Sequence, residues 1–301
     1  MSTNKTQIDH GAAEHFVQDR LHIPNLTLEP IADGETAQAY YFDTPEGPRV
    51  LRVNSKDDSG FHKDRFAQTH FGSDTVPIPR IFDIGEIESG LFYAVSERAP
   101  GKTLDKFNKA EIDSLMPKII TTLDAIHAIP PIGEGYGNWD LHGKGQSSSW
   151  REQLEKDLQE DDDETTSADF YDATLTDSLR TEITGMLDGL PEERKLVHWD
   201  YGFNNTLSDG TSITGVIDWE HAAYGDFLHD VAWLDFWDEK QGYAEAFKKF
   251  YADQGRDVPR FDERLTCYKL LIGVGSLGFF ARSRQLEKYE NAKGIIARIE
   301  R

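Results

Sequence analysis

The sequence predicts a two-lobed α+β protein, and three observations carry that expectation. The chain has 301 residues, about twice the length of one ordinary domain. Hydrophobic residues make up 38% and charged residues 29%, a balance that supports a folded core. Short β-prone runs dominate the first ninety-odd residues, and helical periodicity dominates beyond Pro100-Gly101. Strands followed by helices suit an α+β fold with separate lobes.

In order, Ala39–Phe42 and Arg49–Val53 are β-prone runs around a Pro/Gly turn at 44–48. Phe61, Arg65 and Phe66 recur at helical spacing, so 61–71 is an expected helix, ended before Pro77 and Pro79. Two strands over 80–85 and 90–97 complete the first lobe, leaving it with one helix. The apolar positions Ile112, Leu115, Met116, Ile119, Ile120, Leu123 and Ile126 mark a long amphipathic helix over 110–128. Residues 133–145, rich in glycine, read as an ordered loop. Residues 150–158 and 178–187 read as helices, and the acidic run 160–169 between them as a solvated insert. Leu196-Val197, Thr206–Ser208 and Ile213–Ile217 read as short strands, the last two joined by an Asp209-Gly210 turn. Helices occupy the chain from Phe227 onward, with Trp233, Phe236, Trp237, Phe247, Phe250 and Tyr251 as core candidates.

Composition narrows function. The formal charge of −22 repels nucleic acid and attracts cations, although a salt-adapted, highly soluble surface gives the same number. No apolar run reaches membrane-spanning length, and the N-terminus lacks a signal-peptide core. The single cysteine, Cys267, excludes an intramolecular disulfide framework and reads as a small buried residue. A cytoplasmic monomer acting on a small molecule, without membrane or nucleic-acid partners, is the expectation.

The informative stretch is 196–226. His198-x-Asp200 is followed by Asn205, then a hairpin that ends in Ile217-Asp218-Trp219. Two acids and an amide at strand ends supply hard oxygen ligands suited to magnesium. H-x-D-x(4)-N before a later metal-binding aspartate is the spacing of kinase phosphoryl transfer.

With V-L-R-V-N-S at 50–55, K-D-R-F at 63–66 and P-I-P-R-I-F-D-I-G-E at 77–86, the stretch resembles the aminoglycoside phosphotransferase branch of the protein-kinase-like fold. The likeness covers most of the chain, from about residue 31 to 237. It implies a bilobal kinase-like fold with a small, β-rich nucleotide-binding lobe at 1–97 and a larger, helical catalytic and substrate-binding lobe at 98–301. By motif, Asp200 is the implied catalytic base, and Asn205 and Asp218 are the implied magnesium ligands. Arg52 is the implied partner of the ATP phosphates, with Asp64 the candidate acidic partner of Arg52. Gly34 is the weak remnant of a phosphate-cradling loop at 32–39, and Glu97 and Ala99 are the hinge residues that meet adenine. Asp230 is implied to bond the catalytic-loop backbone, and His198 reads as a structural histidine of that loop. Trp199 departs from the usual small residue, and Glu220 faces either substrate or water. Asp226 reads as a helix cap. Asp235, Asp238 and Glu239 are candidates to line a cleft for substrate ammonium groups, against a solvated helix end.

The implied activity is ATP- and Mg2+-dependent phosphorylation of a hydroxyl on a cationic aminoglycoside of the hygromycin B type. Two other readings stay open. One is a metabolic kinase of the same fold acting on choline, homoserine or a sugar-like metabolite. The other is a nucleotide-binding module without catalysis.

Overall fold

In chain order the elements are α1 (His10–Leu21), β1 (Glu29–Ile31), β2 (Gln38–Thr44), β3 (Gly47–Asn54), α2 (Ser59–Phe71), β4 (Ile81–Glu88), β5 (Leu91–Glu97), β6 (Lys102–Thr103) and α3 (Lys109–Ala128). They continue with β7 (Tyr136–Trp139), β8 (Gly145–Ser147), α4 (Trp150–Asp157), α5 (Asp163–Thr166), α6 (Ala173–Met186), β9 (Lys195–Val197), β10 (Thr206–Ser208) and β11 (Ile213–Val216). The last are β12 (Ala223–Gly225), α7 (Leu228–Trp237), α8 (Tyr243–Asp253), α9 (Phe261–Arg282) and α10 (Leu286–Ile296). The structure is a computed structural model and describes residues 8–31, 38–55, 57–88, 90–159 and 163–300. Backbone packing divides the chain into two units, one of residues 1–107 with 203–220, the other of 108–202 with 221–301.

The first unit is built on an antiparallel sheet of order β1-β2-β3-β5-β4. Leu51 and Val53 of β3 are fully buried with Tyr40, Phe42, Tyr93 and Val95. Strand alternation therefore turns Arg52 to the other face, opposite Ala39 and Ala94. Helix α1 is an addition to the one helix expected before residue 97. Asp9 caps it by accepting from the Ala12 N–H at 3.0 Å. Only Ala13 and Val17 of the helix are buried, a stripe too narrow to register as amphipathic.

A second sheet, β11-β10-β6, belongs to the same unit. Gly101, at φ +93°, lets the chain pass so close to the Ser208 carbonyl that a Cβ would collide with it. Residues 98–107 and the 203–220 hairpin thus pack with the first unit, whereas the linear division at 97/98 groups them with the second.

The second unit joins a β8-β7-β12-β9 sheet to a helical body. A capping box between Asn108 and Glu111 starts α3. Helix α9 is buried on nearly all sides, from Phe261 to Ala281, and its two buried cations, Arg264 and Lys269, are paired with Asp226 and Asp235. The segment 133–145 is not wholly a loop. Asn138 and Gly137 pair with Ala223 and Tyr224, a long-range ladder that local glycine content conceals. Asp226, expected as a helix cap, lies one residue before the cap position of α7, which Phe227 holds, and accepts from the Leu228 N–H (3.0 Å). It also takes two bonds from Arg264 (2.5 and 2.9 Å) and one from the Tyr268 hydroxyl (2.8 Å).

Arg264→Met strands the Asp226 charge, which is fully buried. The expected loss is about 3–5 kcal/mol of unfolding free energy by urea titration. A loss below about 1 kcal/mol, the scale of a surface pair, would show that the pair does not brace the second unit.

Candidate active site

In the first unit, Arg52 rises from β3 and its Nη2 donates to Asp64 Oδ2 on α2 at 2.5 Å. Its guanidinium lies 5.0 Å from the centre of the Phe61 ring. Burial alone pulls the Arg52 pKa down, but the charge and bond of Asp64, with Asp218 and Glu220 nearby, hold it above the ordinary value. The other Asp64 oxygen accepts the Trp219 N–H at 2.8 Å. One carboxylate therefore ties the β3 arginine to the segment that carries Asp218. Lys63, the preceding residue, is 6% exposed and donates from Nζ to the Glu220 main-chain oxygen at 2.5 Å. Burial pushes its ammonium down to about 7, against the pull of Glu220 and Asp64.

The hairpin sets two oxygen donors, Asn205 and Asp218, at neighbouring positions of its register. Thr206 pairs with Val216, and the Ile217 N–H donates to the Asn205 carbonyl at 2.9 Å. This register sets Asn205 across from Ile217, the neighbour of Asp218. The turn is closed by Asp209, whose Oδ1 accepts from the Thr211 and Ser212 N–H groups at 2.8 and 2.9 Å. Asn205 is buried and Asp218 half-buried. Asp218 holds φ +65°, in the left-handed region. A carboxylate and an amide oxygen are hard donors that fit Mg2+, an ion that keeps water and phosphate as its other ligands. No three His, Cys, Asp or Glu side chains form a metal cage among the described residues.

At the expected hinge, Glu97 is exposed and Ala99 half-buried. The Glu97 N–H donates to the Arg80 carbonyl (2.8 Å) and the Arg98 N–H to that of Pro48 (3.2 Å). Gly34 lies outside the described residues, with the rest of 32–37.

In the second unit, Asp200 is half-buried on the loop after β9. Asp230 of α7, fully buried, accepts from the His198 N–H (2.9 Å) and the Trp199 N–H (2.7 Å). His127 Nε2 lies 3.0 Å from the same carboxylate. Burial raises the Asp230 pKa, but the His127 bond and the surrounding histidines outweigh it and keep the group below the usual carboxylate range. His198 is fully buried. Trp199 sits at φ +75°, an unusual place for a bulky side chain. Its ring stacks on His229 at 3.8 Å between centroids and meets Trp150 edge-on at 5.8 Å.

The acidic trio does not form one wall. Asp235 is buried, bonded to Lys269 Nζ (2.8 Å) and to the Ala244 N–H (3.1 Å). This corrects its place among the candidate ammonium ligands, because its oxygens are committed inside the fold. Asp238 is half-buried and Glu239 exposed beside Arg298 at 3.5 Å. Lys63, His127 and His229 are additions to the sequence reading. Lys63 stands in the K-D-R-F stretch beside Asp64, a signal available there. His127 lies against Asp230 from α3 and His229 against Trp199 from α7, which no local spacing reveals.

A family profile matches residues 27–263, and its description is phosphotransferase enzyme family. The chain belongs to that family. Over 285 residues it is 34% identical to hygromycin-B 4-O-kinase of Escherichia coli, spanning 91% of this chain and 80% of that protein. A structure of a thermostable mutant of aminoglycoside phosphotransferase APH(4)-Ia, in ternary complex with AMP-PNP and hygromycin B, matches with a TM-score of 0.82 at 30% identity. That match covers 96% of this chain and 97% of the other. The GDP complex of aminoglycoside 2'-phosphotransferase-IIIa matches at a TM-score of 0.68 and 16% identity, over 96% and 98% of the two chains. That is a likeness of fold. The expected aminoglycoside phosphotransferase resemblance and kinase-like α+β fold are borne out.

In this phosphotransferase, burial pushes the His229 imidazole from 6.5 down to about 4. Between those values the unfolded chain binds a proton that the native one refuses, so stability falls as pH drops from 6.5 toward 4. His229→Phe keeps a ring against Trp199 and removes the titration. Urea midpoints measured across that window should fall less steeply in the variant. An unchanged slope would exclude His229 as its source.

Proposed function

We propose that this chain is an ATP- and Mg2+-dependent O-phosphotransferase whose acceptor is an aminoglycoside of the hygromycin B type. The observation that carries it is the Arg52–Asp64–Trp219 linkage, which ties the phosphate-binding arginine to the segment bearing Asp218. The similarity to hygromycin-B 4-O-kinase supports the acceptor class.

In this reading residues 1–97 serve the nucleotide, and residues 98–301 supply catalysis and the acceptor site. Arg52 binds ATP phosphate oxygens with its planar fork. The Glu97 carbonyl and Ala99 N–H are the backbone groups offered to adenine, and Gly34 is a phosphate-loop candidate by motif alone. Asn205 and Asp218 would hold Mg2+, whose charge offsets that of the β- and γ-phosphates. Asp200 accepts the acceptor hydroxyl's proton as its oxygen bonds to the γ-phosphorus. The bond from that phosphorus to the bridging oxygen breaks, and ADP leaves with the electron pair. Asp230 and His127 act through the loop backbone and hold Asp200 in place. The net charge of −22 favours approach of a polycation, with Asp238 and Glu239 as candidate ammonium partners.

The test is ADP release by purified protein with Mg2+ and ATP over a panel of hygromycin B, other aminoglycosides, choline and homoserine. Turnover with hygromycin B is expected. Turnover confined to choline or homoserine would transfer the chain to metabolic kinases, and ATP binding without turnover on any acceptor would leave a nucleotide-binding module. Asp200→Asn should lower kcat by about 10²–10⁴ with ATP affinity little changed. Near-wild-type kcat would remove Asp200 from the base role.

A further inference from the structure

Lys63 is a charged side chain in an unfavourable place. It is 6% exposed, and burying an ammonium is costly unless the group is well bonded. A methionine would fill similar space without that cost. Its Nζ reaches the main-chain oxygen of Glu220, 157 positions away in sequence, at 2.5 Å. The next residue, Asp64, takes the Trp219 N–H at 2.8 Å. Adjacent residues of α2 therefore bracket one short stretch, one accepting from its N–H and the other donating to its C=O.

Asp218, immediately before that stretch, sits at φ +65°. A non-glycine residue there costs about 1–2 kcal/mol and persists where its surroundings over-determine it. The Glu220 side chain folds back over the first turn of α2, where a Cβ on Gly60 would come within 3.1 Å of Glu220 Oε2. The helix thus meets the Asp218–Glu220 segment at Gly60, Lys63 and Asp64.

We propose that Lys63 is a positioning residue for the metal site, and that its bond to the Glu220 carbonyl holds the Asp218 carboxylate where Mg2+ is bound. This rests on the reading of Asp218 as a magnesium ligand. Charged or neutral, the amine keeps N–H groups for the carbonyl, so the role does not depend on its protonation.

The test compares Lys63→Met and Lys63→Arg with wild type and with Asp218→Ala. It reads the Mg2+ concentration for half-maximal activity at saturating ATP. It also reads the calorimetric affinity for AMP-PNP with and without Mg2+. Lys63→Met should raise the Mg2+ requirement and weaken Mg2+-dependent nucleotide binding by about tenfold, the upper scale of one buried hydrogen bond. Metal-free nucleotide affinity and acceptor KM should stay within about twofold of wild type, because neither uses this bond. Lys63→Arg retains a donor in a different shape and should fall between, which keeps the test open if the methionine variant does not fold. A folded Lys63→Met with wild-type Mg2+ requirement would overturn the proposal. So would an equal loss in metal-free binding and acceptor KM, the pattern of a merely structural lysine. If Lys63→Met does not fold and Lys63→Arg matches wild type, the proposal also fails. Asp218→Ala separates the two layers. If it keeps the Mg2+ response, the metal assignment itself is wrong; if it loses that response while folded Lys63 variants match wild type, only the role of Lys63 fails.

Discussion

The Asp64 carboxylate is the joint on which the first unit's chemistry depends. Its two oxygens do different work, one holding Arg52 and the other the Trp219 N–H. A monodentate surface pair would contribute little. Here the Asp64 side chain is 7% exposed and that of Arg52 21%, so the pair is poorly screened and each oxygen has a defined partner. Strand β3, helix α2 and the end of the hairpin are thereby placed as one object. A shift of α2 would move Arg52 and the segment that carries Asp218 together.

The second unit solves a parallel problem with the same chemistry. Asp230 takes two consecutive loop N–H groups, and His127 lies against its oxygen from α3. The loop can then carry Trp199 at a positive φ, a strain of about 1–2 kcal/mol. Stacking of that ring between His229 and Trp150 offsets part of it. A glycine would satisfy the backbone with no strain. The tryptophan trades that ease for aromatic contacts with His229 and Trp150 next to Asp200 in the chain.

Charge has to be read locally. The chain total of −22 suggested an acidic wall after the hairpin, yet Asp235 is neutralised by Lys269 and Glu239 stands beside Arg298. Around Asp218, two cations, Arg52 and Lys63, lie among Asp64, Asp218 and Glu220. Three carboxylates against two basic groups leave a small acidic excess there.

The sequence alone determined the elements whose signals are local. The Asp209-Gly210 turn, the 3.6-residue periodicity of 110–128 and the β-prone run around Arg52 each report on neighbours a few residues away. The register of Asn205 across from Ile217, the neighbour of Asp218, was legible for the same reason, since a tight hairpin leaves few ways to pair its strands. Tertiary structure decided the rest. β7 exists because β12 pairs with it, and α1 is a helix whose narrow buried stripe only the sheet explains. Asp235 is an internal ion pair because Lys269 lies 34 positions on. Lys63 meets Glu220 across 157 positions. A buried charge looks the same in sequence as a solvated one, because what distinguishes them is the partner that long-range packing supplies.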